Sequence, residues 1–257
     1  MTMEDSTIEV SRDGLVGIVT LNRPPHNFFG AAMVGQIAAA FAEFDADPGC
    51  RAILLRANGT AFCAGAQLGD GPGALDMDEA RRIYEGAVSL FDRALPVVAE
   101  IGGPAIGGGL GLALVADFRV AGPRARFSAN FARLGIHSGF GISTTLPRVV
   151  GRQAAAMMLL TGRRLKPDAA LAIGLADKLS AEGELAGDAA ALAHEIASGA
   201  PLAVQAMRRT LAGDLSAKVR KAVAHELEQQ RIQVATADFA EGIAAYGERR
   251  APRFCGV

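Results

Sequence analysis

Along roughly the first half of this 257-residue chain, short apolar runs alternate with stretches whose apolar residues recur at helical spacing, a pattern that points to an α/β architecture. Thr7-Ile8-Glu9-Val10 and Val16-Gly17-Ile18-Val19-Thr20-Leu21, joined through Asp13-Gly14, predict a β-hairpin. Met33, Ile37, Phe41 and Phe44 then mark one face of a helix, which Asp47-Pro48-Gly49 stops ahead of the strand Ala52-Ile53-Leu54-Leu55. The pattern recurs as a helix over about 79–95, a strand at 97–101, a glycine-rich turn, a helix running to Ala116 and a strand Phe118-Arg119-Val120. From Arg152 onward strands nearly vanish, and alanine-rich helical segments follow at about 184–198, 201–213, 215–235 and 238–250. The expected organisation is a core over 1–195 and a C-terminal helical region over 196–257, with no low-complexity linker between them.

Half the residues are hydrophobic, 21% are charged and the formal net charge is −1, the balance of a compact protein. Such a chain generates no long-range field to attract nucleic acid or a lipid surface, so neither is expected as a partner. The N-terminus opens with acids and has no apolar segment behind it, so no secretory signal is read and a cytoplasmic location is expected. The uncharged stretch 101–116 is shorter than the roughly 18 residues of a membrane span and is interrupted by Pro104 and several glycines. Cys50, Cys63 and Cys255 are odd in number and far apart, which predicts free thiols and no metal site.

Several motifs fail on spacing. Gly107-Gly108-Gly109-Leu110-Gly111 suggests a dinucleotide turn, but read from Gly107 the third glycine position holds Leu112. His194-Glu195 and His225-Glu226 resemble a zinc-protease helix, yet the second histidine positions hold Ser198 and Gln229. No phosphate-binding P-loop and no GxSxG nucleophile turn occur.

Two glycine turns remain, Phe62-Cys63-Ala64-Gly65-Ala66-Gln67-Leu68 and Ile106-Gly107-Gly108-Gly109, each after an apolar run and each expected to precede a helix. A helix start leaves backbone N–H groups without internal partners and carries the positive end of the helix dipole. Two such turns facing each other can present converging donors to one oxygen, and glycine lets a ligand approach the backbone closely.

The two turns occur in order with further short stretches: Leu21-Asn22-Arg23-Pro24, Ala116-Asp117, Phe127-Ser128, Leu146-Pro147-Arg148-Val149-Val150-Gly151, Leu160-Thr161-Gly162-Arg163, Gly174-Leu175-Ala176-Asp177 and Arg249-Arg250-Ala251-Pro252-Arg253-Phe254. In this ordered set the chain resembles the crotonase, or enoyl-CoA hydratase/isomerase, family over almost its full length. The resemblance implies a crotonase-type ββα spiral core holding an acyl-CoA pocket, with a C-terminal α-helical trimerisation region. It implies an oxyanion hole from the N–H groups of Ala66 and Gly108, and CoA contacts at Pro25, His26, Ala64, Gln67 and Leu68, with Arg249 reaching the CoA phosphate of a neighbouring subunit. CoA enters as part of the substrate, and no separate cofactor is expected.

The sequence departs from the family where its hydratases carry acids. The two glutamate positions read Gly111 and Phe131, and a third position, aspartate in some relatives, reads Gly139. The aspartate usual after the oxyanion alanine is Gln67. General acid–base groups each supply about 10²–10⁴-fold, so ordinary hydration is not expected from such a site. His137 is a candidate substitute base because imidazole titrates near neutrality, and Asp70, Asp76, Asp78, Glu79 and Glu85 are further candidates. The alternative is a non-catalytic acyl-CoA binder or regulatory protein whose pocket Phe131 makes more apolar. Val219, Val223 and Leu227 form an i, i+4, i+8 stripe that needs burial, and with the resemblance this predicts a homotrimer or a dimer of trimers.

Overall fold

The computed structural model describes residues 6–66 and 75–257. Strands β1 (Ile8–Asp13) and β2 (Val16–Leu21) form the expected hairpin in register Ile8↔Leu21, with Gly14 at φ 57° supplying the left-handed turn. Helix α1 (Ala31–Ala46) follows, then β3 (Ala52–Ala57), α2 (Met77–Phe91), β4 (Val97–Ile101), β5 (Pro104–Ile106) and α3 (Gly108–Val115). Next come β6 (Phe118–Ala121), β7 (Arg126–Ser128), a 3-10 turn (Asn130–Leu134) and α4 (Ile142–Thr161). The remainder is β8 (Arg164–Leu165), α5 (Pro167–Ala172), β9 (Lys178–Leu179), α6 (Leu185–Ser198), α7 (Pro201–Ala212), α8 (Leu215–Gln233) and α9 (Ala237–Gly247).

The strands sort into two sheets. The larger has the order β1-β2-β3-β4-β6-β9, antiparallel only in its first pair, and the smaller has the order β5-β7-β8. Parallel bridges Phe29↔Ala66 and Cys63↔Ala105 attach the first glycine turn to the smaller sheet. The pairs β4-β5 before α3 and β6-β7 before α4 each send one strand to the large sheet and one to the small sheet, which is the sense of a spiral.

Alternation within the strands decides what each face buries. Ile53, Leu55, Val97, Ala99 and Ile101 face the main core, where Met33, Ile37, Phe41 and Phe44 of α1 and Ile83, Ala87 and Val88 of α2 pack. Ala52, Leu54, Val98 and Val120 face α6, whose Ala189, Ala193 and Ala197 allow close approach. Covered on both faces, these strands read as continuous apolar runs. The boundary expected at 195/196 falls inside α6, which belongs to the sheet packing as far as Ala197.

Two features of the C-terminal half go beyond the sequence reading. Helix α4 has no counterpart among the expected elements, and it contains Pro147 and Gly151. Gly151, at φ 76° and ψ 161°, does break it into two helical pieces that follow one another. The stripe on α8 is buried within the chain: Val219 and Val223 join the main core, Glu226 and Gln230 continue the buried face, and Leu227 is half-buried. That stripe therefore creates no demand for a neighbouring subunit. Among the described residues no helix is long and apolar enough to cross a membrane.

Candidate active site

The two glycine turns lie against each other. Cys63 N–H donates to the Pro104 carbonyl at 3.1 Å and Ile106 N–H to the Cys63 carbonyl at 3.0 Å, pinning the first turn to β5. Gly65, at φ 102°, sits so near the second turn that a β-carbon on it would lie 3.4 Å from the Gly108 nitrogen. Gly107, at φ 55°, precedes α3, and its N–H donates to the Ser128 carbonyl at 2.8 Å. Leu110 and Gly111 donate back to the Gly107 carbonyl, which leaves Gly108 among the unpaired N–H groups at the start of α3. Phe29 N–H donates to the Gly65 carbonyl. Among the described residues the Ala66 and Gly108 N–H groups find no protein acceptor.

Both turns line a cavity of about 270 Å³. Its walls are mainly apolar, from Phe29, Ile83, Phe131, Phe140, Phe239 and Ile243. The described lining residues include no Asp, Glu, His, Lys, Arg or Cys; the ionisable ones are Tyr84 and Tyr246, and Asn130 and Gln230 add amides.

The sequence-predicted residues divide accordingly. Ala64, Ala66, Gly108, Phe131 and Gly139 are brought together in the lining. Gly111 lies behind it: a β-carbon there would stand 2.8 Å from Phe140 Cβ, so the Phe140 ring takes the space a side chain at 111 would use. His137 does not line the cavity. Its Nδ1 lies 2.8 Å from the Ser138 carbonyl oxygen and its ring meets His225 of α8 edge-on at 5.7 Å. The backbone bond from its N–H to Gln233 Oε1 fixes the loop in that orientation.

The acids proposed between the turns have structural work. Asp76 caps α2, accepting from the Asp78 and Glu79 N–H groups, so the helix described after the first turn begins only at Met77. Glu79 accepts the Ala31 N–H at 2.6 Å and pairs with Arg82. Asp78 pairs with Arg81 at the surface, and Glu85 is exposed. Gln67, Leu68 and Asp70 lie outside the described residues.

Of the expected CoA positions, His26 holds the first turn through its carbonyl, which accepts the Ala64 N–H at 2.9 Å. Pro25 uses its carbonyl to accept from Thr60 and Ala61. Neither lines the cavity. Arg249 is exposed at φ 56°, just past α9, while Ile243, Tyr246 and Gly247 of α9 line the cavity of their own chain.

Four residues that shape the site went unnoticed in the sequence: Tyr84, Phe140, Glu226 and Gln230. Tyr84 carried a signal, being one of two tyrosines in the chain. Glu226 is fully buried and accepts from the Gly141 N–H at 2.7 Å, the Ser143 N–H at 3.0 Å and the Ser143 hydroxyl at 2.6 Å. It thereby caps α4 from across the fold, although burial pushes its carboxyl above the usual range. Cys63, in the first turn, is held as a thiol, its pKa pushed up to about 12 by burial. Among the described residues no group of three or more His, Cys, Asp and Glu is placed to hold a metal ion.

The family model described as enoyl-CoA hydratase/isomerase matches residues 11–256. A probable enoyl-CoA hydratase of Mycobacterium tuberculosis is 37% identical over 252 residues, covering 93% of this chain and 97% of that one. A probable enoyl-CoA hydratase of Mycobacterium bovis is 33% identical over 263 residues, covering 99% of each. The crystal structure of an enoyl-CoA hydratase/isomerase from Pseudoalteromonas atlantica superposes with a TM-score of 0.85 at 30% identity, covering 97% of this chain and 100% of that one.

Proposed function

The chain belongs to the enoyl-CoA hydratase/isomerase family, and from that premise we propose that it binds acyl-CoA thioesters and stabilises a thioester enolate at the N–H groups of Ala66 and Gly108. The observation that carries this reading is the pair of adjoining turns whose N–H groups lack protein acceptors at the wall of an apolar cavity. When a thioester loses a proton at its α-carbon or gains a nucleophile at its β-carbon, charge accumulates on the carbonyl oxygen. Fixed donors aimed at that oxygen stabilise the transition state more than the ground state. The start of α3 adds its dipole at the same place.

Proton transfer needs a separate agent. The described lining offers no carboxylate or imidazole, and His137 is turned toward α8. Asp70, in the segment between Ala66 and α2, is the acid we assign to test first. The same lack favours a second reading, a non-catalytic acyl-CoA-binding or regulatory protein: an apolar wall at Phe131 suits an acyl chain better than a bound water.

One set of measurements separates the readings. Calorimetric titration with acyl-CoAs reports binding, and spectrophotometric assay of crotonyl-CoA hydration and of 3-enoyl to 2-enoyl isomerisation reports turnover. A β-carbon at 108 would stand 2.6 Å from Phe29 Cζ, so the donor is best removed by a semisynthetic backbone ester at Gly108, which replaces the N–H by oxygen and adds no side chain; for an enzyme this should lower turnover by about 10²–10³-fold. Turnover lost in Asp70→Asn identifies the acid; tight binding without turnover across the panel establishes the binder; absence of acyl-CoA binding overturns both readings.

A further inference from the structure

Gly139 and Tyr84 share one volume. A β-carbon on Gly139 would lie 1.8 Å from the Tyr84 hydroxyl oxygen and 2.9 Å from Gln230 Nε2, so the space a side chain at 139 would use holds a phenol. Tyr84 from α2, Gln230 from α8 and Gly139 from the intervening loop all line the cavity. They place a hydroxyl in a wall that is otherwise mainly apolar.

The hydrogen bonds fix which way that hydroxyl can act. Gln230 Nε2 donates to the His137 carbonyl at 2.9 Å, and because a carbonyl only accepts, the amide must turn its nitrogen there and its oxygen the other way. That oxygen accepts the Tyr84 O–H at 2.7 Å. A phenol has one proton, and here it is committed. Burial first, and then the charge of Glu226, push the Tyr84 pKa well above the usual phenol range. Tyr84 therefore does not ionise near neutrality and supplies no base. What it offers the cavity is the lone-pair side of a neutral oxygen, and only a ligand with a hydrogen-bond donor can use that. A plain acyl chain, a ketone or an ether has no such donor.

We propose that Tyr84 is a specificity-determining residue: its phenolic oxygen accepts a hydrogen bond from a hydroxyl on the acyl group, so the cavity selects hydroxylated acyl thioesters over deoxy counterparts of equal length. This inference rests on the acyl-CoA reading above. It adds a direction to it, since a ligand group that only accepts gains nothing. One neutral hydrogen bond corresponds to a preference of up to about tenfold.

Matched acyl-CoAs test the proposal by calorimetry: a deoxy chain, the same chain hydroxylated at successive carbons, and the methyl ether of each. The wild type is expected to bind one hydroxylated isomer about tenfold tighter than its deoxy and methyl ether forms. Tyr84→Phe should bring that ratio to within about twofold. Should Tyr84→Phe loosen the fold, Gln230→Leu provides an independent test. It frees the phenolic proton, and Tyr84 then donates to the methyl ether, which gains on the deoxy form. Deoxy acyl-CoA binding with no discrimination at any position, as would follow if a water satisfied Tyr84, overturns the role of Tyr84 and leaves the acyl-CoA reading standing. A preference that survives in Tyr84→Phe overturns it too. Failure of the wild type to bind even the deoxy compounds overturns the acyl-CoA reading itself.

Discussion

Gly109 and Cys63 meet so closely that a β-carbon on Gly109 would lie 2.0 Å from the Cys63 carbonyl oxygen. The obstructing atom is backbone, held by its own bond from Ile106 N–H, so it cannot swing aside as a side-chain tip could. The contact sets how closely the first glycine turn approaches the start of α3. Gly109→Ala must push the two turns apart. We expect a loss of about 1–3 kcal/mol or more in urea denaturation, with weaker acyl-CoA binding by calorimetry. Gly187 of α6, with no atom near its missing side chain, is the control: Gly187→Ala should stabilise by about 0.5–1 kcal/mol and leave binding unchanged.

His137→Ala should change neither acyl-CoA affinity nor turnover by more than about twofold, because its ring contacts His225 and the Ser138 carbonyl and not the cavity. A titration series and an initial-rate comparison check this. A tenfold fall in turnover with unchanged affinity would reinstate the imidazole as the base.

Asp117 is a half-buried carboxylate shared by two buried arginines. Its Oδ2 accepts from Arg93 Nη2 at 2.9 Å, Arg208 Nε at 3.1 Å and the Val97 N–H at 2.8 Å. Burial works to raise its pKa, but Arg93 and Arg208 outweigh it and hold the carboxyl below the usual range. The folded protein therefore takes up this proton less readily than the unfolded chain. The stabilisation is full above the unfolded pKa of about 3.9 and is lost as pH falls through the lower folded value. Asp117→Asn removes the charge that the two guanidiniums share and, with the carboxylate half-buried, should cost about 1.5–3 kcal/mol at pH 7. Denaturation at pH 7 and again below about pH 4 should show the gap to wild type narrowing in acid.

Assembly is open to a direct measurement. With the α8 stripe buried inside the chain, the apolar side chains left outward include a group on α7, where Leu202, Met207 and Leu211 are 79%, 58% and 75% exposed, and Leu160 of α4 at 80%. We expect light scattering after size exclusion to give a trimeric or hexameric mass. The double substitution Leu202→Asp and Leu211→Asp should shift that mass toward the monomer. A monomeric wild type at micromolar concentration would remove the basis for placing Arg249 at a neighbour's CoA.

The parts legible in the sequence are those whose cause is local. Asp13-Gly14 marks its hairpin because the turn needs a left-handed residue, and Gly107 marks the start of α3 for the same reason. The last four helices announce themselves by alanine-rich periodicity, and their observed limits fall within a few residues of those expected. α4 holds Pro147 inside a helical piece, against its local preference, whereas Gly151 follows its own and divides α4 into two pieces end to end. The cavity walls were hidden for a different reason. Tyr84 and Gln230 bond across 146 positions of sequence, and Glu226 reaches Gly141 across 85. No local pattern encodes such pairings; they follow from how α8 packs on α2 and α4.

Gly111 and Phe140 also bear on how a chain like this could carry a glutamate at 111. Phe140 is 1% exposed, so trimming it first opens a void in the core, at about 3–5 kcal/mol for Phe→Ala. Installing glutamate at 111 first drives its β-carbon to within 2.8 Å of the Phe140 side chain. Either single step costs stability unless the other accompanies it, so the two positions are coupled: a side chain at 111 needs a smaller partner at 140, and a smaller residue at 140 leaves a gap that only a side chain at 111 fills.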